Sequence, residues 1–274
     1  MLARFSPLVL ALALIAPPLR ADLTVGPGGS GADFDDIQAA IDAAQPGERV
    51  FVLPGDYPGP LTIDRSIELI GSGPTSTRLL ESLPVPSESS PITVRNIAAN
   101  EQVRVVGFEI AENDYQSSQG LSAVRVLDCA GSVTLLGLRY APIPMDPNEV
   151  VAPDSALLWI ESASNVVVDL CDFGVADDNG FDGRFLTSVG KAPNAMRAID
   201  SRVWVSSSRF VGNAAPIISL FNMGQPGAAI EAVNSEVTLS GTVALGPIAS
   251  SLFTPAGPGA LIVAGSRLET AGGP

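Results

Sequence analysis

The segment Val103-Arg-Val-Val-Gly107 decides the fold, because its alternation of apolar and polar residues returns along the chain. It comes back as Val133-Thr-Leu-Leu-Gly137 and again as Val203-Trp-Val-Ser-Ser207. The repeat starts are Ile67, Val103, Val133, Val166, Val203, Val237 and Leu268. Neighbouring starts lie 30 to 37 residues apart, a spacing that is typical of repeat proteins.

A second short strand precedes most of these segments, as in Val124-Arg-Val126 and Leu158-Trp-Ile160. A tight polar turn such as residues 161–165 joins the two, and a longer loop of variable length follows. With an alternation of period 2, no unit can bury its inner face alone, but stacked units can. The sequence therefore predicts an all-β fold, a single-stranded right-handed parallel β-helix.

One amphipathic helix is predicted near the amino terminus, over residues 33–45. Ile37 and Ile41 fall on one face, Asp33 is placed as the N-cap, and Pro46-Gly47 ends the helix. Such a helix would cover the open first coil and shield its unpaired strand edges.

The segment from Gly31 to Val50 runs into Val52-Leu-Pro-Gly-Asp-Tyr-Pro58 and then into Leu61-Thr-Ile-Asp-Arg-Ser-Ile-Glu-Leu-Ile-Gly71. This order of cap helix, Pro-Gly-x-Tyr turn and two strands resembles the opening of the pectin lyase-like β-helix superfamily, notably its pectinesterase-like members. The resemblance implies a right-handed parallel β-helix. It implies no single activity, since that superfamily includes lyases, hydrolases, esterases and non-catalytic surface proteins.

The division of the chain follows from these patterns. Residues 1–21 have Arg4, a short apolar run and a small-residue site, which is the pattern of a signal peptide. Residues 22–48 form the lead-in and cap helix, and residues 49–274 form the β-helix. We therefore expect a secreted, periplasmic or cell-surface protein without a membrane-inserted segment. The abundance of Ala, Gly, Pro and Arg with a single Lys suggests a bacterial source.

Charge and composition exclude several classes of function. The net charge is −14, which opposes binding to nucleic acid or to an anionic membrane. The chain has no His, which rules out Ser-His-Asp and Cys-His catalysis. Neutral glycans and divalent cations remain compatible partners, whereas a polyanionic glycan would need calcium to bridge it to the protein.

The two cysteines, Cys129 and Cys171, leave two alternatives open. An exported protein permits a disulfide between them. The repeat register places them at different points of neighbouring coils, however, which favours two buried thiols at least as strongly.

The loop from residue 174 to residue 194 holds the densest acidic stretch. Asp177, Asp178 and Asp182 are candidate ligands of Ca²⁺, and Arg184 is the candidate base or substrate clamp of a calcium-dependent lyase. The alternative is a solvated loop, since arginine is a poor base and Asp-Asn-Gly is a common turn sequence.

Asp172 has two interpretations. Asp172-Phe-Gly174 is similar to the strand that carries the nucleophile of pectinesterases, but it also fits the ordinary repeat register. In that register Glu109, Arg139, Asp172 and Arg209 would stack as a ladder of alternating charge, which we favour. A glycosidase pair of Asp169 with Asp172 is rejected, because alternation along one strand would point the two side chains to opposite sides.

Aromatic residues supply the candidate ligand contact. Alternation places Trp204 outward between inward-facing Val203 and Val205, so its indole is a candidate surface for sugar stacking. Trp159 and Tyr140 are further candidates. The alternative for Trp204 is packing beneath a neighbouring loop.

The sequence favours a non-catalytic β-helix that serves surface display, adhesion or weak carbohydrate binding. The alternative is a calcium-assisted polysaccharide lyase or another pectin-type polysaccharide-active enzyme. The last repeat shows no cap, which predicts either end-to-end self-association through the carboxyl-terminal coil or a truncated product.

Overall fold

The chain folds into a right-handed parallel β-helix with three sheets and an amino-terminal helix. The computed structural model describes residues 22–80, 90–111, 122–141, 156–174, 194–212, 217–219, 222–223, 227–245, 260–262 and 265–270. This confirms the fold class expected from the repeat and from the resemblance to pectin lyase-like proteins. The signal-peptide segment 1–21 lies outside the described residues.

Each coil contributes one strand to each sheet, and all strands within the three sheets run parallel. Sheet A comprises β1 (Leu23–Val25), β2 (Glu48–Val52), β5 (Ile67–Gly71), β8 (Gln102–Val106), β11 (Ser132–Leu136), β14 (Asn165–Asp169), β17 (Arg202–Ser206), β22 (Glu236–Ser240) and β25 (Arg267–Thr270). Sheet B comprises β3 (Gly55–Pro58), β6 (Thr77–Leu80), β9 (Glu109–Ala111), β12 (Arg139–Ala141), β15 (Asp172–Gly174), β18 (Arg209–Val211) and β23 (Val243–Leu245). Sheet C comprises β4 (Leu61–Ile63), β7 (Ile92–Arg95), β10 (Val124–Leu127), β13 (Ala156–Glu161), β16 (Asn194–Ile199), β21 (Ile230–Val233) and β24 (Ala260–Ile262). A short antiparallel pair, β19 (Ile217–Ser219) and β20 (Asn222–Met223), lies outside these sheets.

The strand register confirms the repeat alignment read from the sequence. Val133 pairs with Val103 on one side and with Val166 on the other, and Val203 follows Val166. The sequence analysis identified the strands of sheets A and C but not the strands of sheet B as a third set. Sheet B strands are mostly three residues long, too short for an alternation to be visible.

The core is a continuous apolar column inside the three sheets. Its side chains come from every second position of each strand, so that Val103, Val133 and Val166 are fully buried. Phe173 and Phe210 stack in successive coils with ring centroids 5.8 Å apart. Burial of this column is the main favourable term in folding.

The connection from sheet A to sheet B is a tight corner. In five successive coils, sheet A passes to sheet B through two residues, the first of which has a positive φ. These first residues are Gly107, Gly137, Leu170, Ser207 and Gly241. A residue in the left-handed backbone region lets the chain turn from one sheet to the next within two residues. Glycine adopts this conformation without strain and therefore recurs there, whereas Leu170 and Ser207 carry backbone strain.

The corner from sheet C to sheet A uses side-chain hydroxyls to join coils. The Ala163 N–H donates to Ser201 Oγ at 3.0 Å, and the Ser201 N–H donates to Ser235 Oγ at 3.0 Å. Each hydroxyl donates in turn to a carbonyl of its own coil, Ser201 to Ile199 and Ser235 to Val233. Buried backbone groups that a bare corner would leave unpaired are thereby satisfied.

The cap helix α1 (Ile37–Ala43) covers the first coil as predicted, with Ile37, Ala40 and Ile41 buried in the core. Its N-cap is Asp36, which accepts from the Ala39 N–H, so the prediction of Asp33 was wrong. Asp33 instead accepts hydrogen bonds from the hydroxyl and backbone N–H of Thr24. Those hydrogen bonds lower the pKa of Asp33 below its ordinary value.

Both cysteines are buried free thiols at different corners of the coil, so the thiol alternative is correct. Cys129 lies at the corner from sheet C to sheet A, and Cys171 at the corner from sheet A to sheet B. Burial raises the pKa of both thiols, that of Cys171 to about 12.

The predicted charge ladder is confirmed. Along the outside of sheet B, Arg139 pairs in register with Glu109 and with Asp172, and Asp172 pairs with Arg209. The ladder also extends one coil further than expected, because Arg78 lies 2.9 Å from Glu109. Glu109 is largely buried, with a side-chain exposure of 13%, whereas Asp172 and Arg209 are substantially exposed. The Asp172–Arg209 pair therefore stabilises by tenths of a kcal/mol, up to about 1 kcal/mol.

Replacement of Phe210 by alanine tests the stacked core. Phe210→Ala leaves a cavity beside Phe173 and should destabilise the fold by about 3–5 kcal/mol. Val243→Ala, on a side chain that is 48% exposed, is the control and should change stability by less than about 1 kcal/mol. Urea unfolding followed by circular dichroism measures both. Equal midpoints for the two variants would contradict the core assignment.

The thiols provide a second test. A raised pKa leaves almost no thiolate at pH 8, and burial blocks access, so the native protein should react with a thiol-specific dye far more slowly than the unfolded chain. In denaturant without reductant, two thiols per chain should react. Fewer than two would show that a disulfide had formed.

Candidate functional site

The structure places the predicted candidates at very different locations. Asp177, Asp178, Asp182 and Arg184 lie outside the described residues, so the predicted calcium site and its arginine stay predictions. Across the described ranges, no three His, Cys, Asp or Glu side chains come together as a potential metal site.

Two of the three aromatic candidates are not open stacking surfaces. Tyr140 is 4% exposed and belongs to the core, so its prediction as a sugar contact was wrong. Alternation along β12 turns Tyr140 inward, and outward Arg139 and Ala141 flank it. Trp159 faces outward, but the guanidinium of Arg197 lies over its ring, 5.0 Å from the centroid.

Asp172 is a member of the charge ladder. Its carboxylate lies 3.2 Å from Arg209 Nη1, and the next residue, Phe173, points into the core against Phe210. The register Asp172–Arg209 and Phe173–Phe210 is the one expected for an ordinary coil. The carboxylate is thus engaged in an ion pair on the outside of sheet B.

Asp169 and Asp172 do not form a catalytic pair, but the reason given from the sequence was wrong. They lie on two strands, β14 and β15, on either side of the Leu170–Cys171 corner, rather than on one strand. Asp169 faces outward from sheet A and accepts a hydrogen bond from Ser206 Oγ at 2.8 Å. The corner therefore separates the two carboxylates onto different faces of the molecule.

Trp204 is the predicted residue that the structure places as expected. It occupies the middle of β17, its side chain faces away from the core, and it is 39% exposed. Its in-register neighbours on the outer face are Val167 in β14 and Thr238 in β22. Both neighbours are smaller than an indole, which is consistent with the exposure of the ring.

Polar side chains surround this indole on the same face of sheet A. Alternation puts Arg202 and Ser206 outward on β17, and Asp169 outward on the neighbouring strand. The Arg202 side chain is 56% exposed and its Nε lies 2.8 Å from Glu236. The apolar ring of Trp204 and these hydrogen-bonding side chains are therefore neighbours on the same sheet face.

A polar groove of about 590 Å³ continues from this surface along the corner between sheets C and A. Arg202 lines it, and the other polar side chains along it include Ser164, Asp200, Asn234 and Glu236. Because Arg202 and Trp204 are two residues apart on one strand, the groove and the indole form one surface. We name this surface, comprising Trp204, Arg202, Ser206, Asp169 and the groove, the Trp204 surface.

A second polar cluster lies on sheet C and was missed by sequence reasoning. Arg197 stands between Trp159 and Glu231 in the strand register, with its Nε 3.2 Å from the Glu231 carboxylate. Glu231 also accepts a hydrogen bond from the side-chain amide of Asn194, and the Trp159 Nε1 donates to Glu161 at 2.9 Å. Exposures of 15% for Arg197 and 8% for Glu231 make this a largely buried ion pair.

The signal for that cluster was present in the repeat. Arg125, Trp159, Arg197 and Glu231 occupy the same outward position in four successive strands of sheet C. In the sequence each is a single polar or aromatic residue in a short apolar strand. Only the stacking of coils turns them into one cluster, in which the described groups bind one another.

Comparison with known proteins yields no family assignment. No protein-family model matches the chain, and no curated protein matches it. Among solved structures, the chain is similar to a pectin methylesterase from carrot, with a TM-score of 0.45, 11% identity, and coverage of 94% of this chain and 86% of that one.

Two further structures have a similar level of likeness. One is pectin methylesterase PemA from Erwinia chrysanthemi, with a TM-score of 0.39, 12% identity, and coverage of 92% of this chain and 90% of that one. The other is the pectin methylesterase from Aspergillus niger, with a TM-score of 0.34, 17% identity, and coverage of 94% of this chain and 88% of that one. With TM-scores below 0.5, these likenesses decide neither the family nor the activity of the chain. The class that the described residues define is a parallel β-helix with a tryptophan on an outer sheet face.

The buried ion pair can be tested by removing one partner. Glu231→Ala removes the carboxylate that lies 3.2 Å from Arg197 Nε in a site with little solvent, and should destabilise the protein by about 3–5 kcal/mol. Glu236→Ala removes the partner of exposed Arg202 and serves as the control, with an expected change below about 1 kcal/mol. Denaturant titrations of both variants provide the comparison. A Glu231→Ala protein as stable as the control would refute the structural role of the pair.

Proposed function

We propose that this protein is a non-catalytic β-helix of the cell exterior that binds carbohydrate through the Trp204 surface. The single observation that carries the proposal is the exposed indole of Trp204, on a rigid sheet and among polar side chains. Sugars present apolar C–H faces and hydroxyl edges. A flat aromatic ring packs against the former while neighbouring polar groups bind the latter.

The surroundings of Trp204 support binding in preference to catalysis. Asp169 is engaged by Ser206 Oγ at 2.8 Å, and Asp172 is paired with Arg209 on a different sheet. A glycosidase needs two carboxyl groups on either side of one bond, an arrangement these two aspartates do not provide. The absence of His from the sequence removes the commonest general base.

An exterior location is part of the proposal and rests on the sequence. The signal-peptide pattern of residues 1–21 supports export. Over the ranges that the structure describes, no helix is long and apolar enough to cross a membrane. The net charge of −14 favours neutral glycans over acidic ones as ligands.

Replacement of Trp204 tests the proposed site. Trp204→Ala should weaken binding to a glycan identified on an array by roughly thirtyfold, the effect of removing a dominant contact of about 2 kcal/mol. Trp204→Phe should retain part of the affinity, because it keeps an aromatic face. Isothermal titration calorimetry measures the affinities, and Trp159→Phe, at an indole covered by Arg197, is the matched control.

Two results would count against the proposal. Wild-type affinity in Trp204→Ala would remove the indole from the site. Release of unsaturated uronate products from polygalacturonate or alginate in the presence of calcium, followed by ultraviolet absorbance, would show a lyase instead of a binding protein.

A further inference from the structure

The two ends of the β-helix differ in how the apolar column is covered. At the amino-terminal end, α1 lies over the first coil with Ile37 and Ile41 buried. Toward the other end, the inward residues Leu239 and Leu268 are partly exposed. Val237, which precedes Leu268 in the strand register, is fully buried. The apolar column therefore reaches solvent at β25, the last described strand of sheet A.

At the amino-terminal end, the backbone edge of sheet A is already paired. The Thr24 N–H donates to the Asp33 carboxylate at 2.9 Å, and the Thr24 carbonyl accepts from the Phe34 N–H at 3.0 Å. Val25 and Phe34 also form a parallel bridge. An incoming strand would have to displace these contacts, so this end does not offer an edge to a second molecule.

At the opposite end, β25 presents a strand edge. Within the described part of the chain, β22 is the only strand that pairs with β25. On that inner side the Arg267 N–H donates to the Ser235 carbonyl at 2.8 Å. Backbone groups of successive residues point to alternate edges of a strand, so those of Leu268 and Thr270 face the outer edge. Such an edge is a template for another strand.

The side chains of β25 are complementary to a second copy of the same strand. Arg267 and Glu269 form an ion pair on the outer face, and Leu268 between them packs against the core. When two copies of β25 meet antiparallel about a two-fold axis at Leu268, each Arg267 lies directly opposite Glu269 of the other copy. The two Leu268 side chains then lie opposite each other on the core side.

Other antiparallel registers are unfavourable. A shift of one residue would bring Leu268 opposite a charged residue, Arg267 or Glu269, of the second copy. A shift of two residues would bring Arg267 opposite Arg267, or Glu269 opposite Glu269, and like charges directly opposite are destabilising. The sequence of β25 therefore selects the register centred on Leu268.

We infer that two copies of this chain associate end to end through β25, antiparallel, with the two-fold axis at Leu268. The backbone groups of Leu268 supply the central hydrogen bonds, and the open end of each apolar column is covered by that of the other. Both copies use the same edge and turn their covered amino-terminal ends outward, so association stops at two. The inference does not depend on carbohydrate binding by the Trp204 surface.

Sedimentation equilibrium tests for this dimer. Salt at about 0.15 M screens the long-range repulsion between two chains of charge −14. Between about 1 and about 100 μM protein, the average mass should rise from that of one chain toward twice that mass, and not beyond it. A mass that stays at one chain over this range, or that passes two chains, would overturn the closed dimer.

A charge exchange tests the register. Glu269→Arg places arginine opposite arginine twice in the dimer and should weaken association at least about a hundredfold. Adding Arg267→Glu to that variant exchanges the two charges and should restore the dimer. Glu68→Arg, at the pair with Arg104 on an inner strand of sheet A, is the matched control and should dimerise like the wild type. Circular dichroism establishes that each variant is folded.

Amide hydrogen exchange reads the pairing directly. The Leu268 amide should gain protection as the protein concentration rises, whereas the amides of Arg267 and Glu269, which face β22, should change little. A dimer that withstands Glu269→Arg, or a folded double variant that stays monomeric, would overturn the register. None of these outcomes touches the proposed glycan site, which the Trp204 variants test separately.

Discussion

Backbone hydrogen bonding between successive coils is the interaction on which the remaining structure depends. Every strand of sheets A, B and C pairs in parallel with the same strand of the neighbouring coil, as Val133 pairs with Val103 and Val166. A shift of one residue in any pair would turn an inward valine outward and an outward charge into the core. Register is therefore fixed by the core, and the core exists only because the register holds.

The same constraint organises the outside of the molecule. Because outward positions stack as strictly as inward ones, any chemistry that recurs at one position becomes a row along the axis. Opposite charges give the ladder through Glu109 and Arg139, and an arginine beside a glutamate gives the buried pair of Arg197 and Glu231. Rows of like or complementary side chains along the axis are thus the characteristic surface feature of this protein.

The fold could be predicted from the sequence because apolar and polar residues alternate along each repeated strand. The valines at 103, 133, 166 and 203 and the cap helix could be aligned without coordinates. The N-cap could not be assigned correctly, since Asp33 and Asp36 are both suitable residues and the choice depends on the contact of Asp33 with Thr24. The strands of sheet B were too short to show a period.

The candidate site was only partly predictable, for a related reason. Alternation within one strand placed Trp204 outward, and the structure agrees. The sheet C cluster around Arg197 is a relation between residues more than thirty positions apart, and it becomes visible only when coils are stacked. Tyr140 was misjudged although the expected ladder placed the adjacent Arg139 outward, because that alternation was not extended by one residue along the short strand β12.

The contrast between the two-residue corners and the third connection has a consequence for how such a chain can change. Sheet A passes to sheet B by two residues in five successive coils, but sheet B passes to sheet C by 11 residues after β6 and by 19 after β15. Insertions and deletions are therefore tolerated along one side of the molecule and forbidden along another. Evolution, or an engineer, could graft new peptide segments onto that side while the opposite wall stays geometrically unaltered.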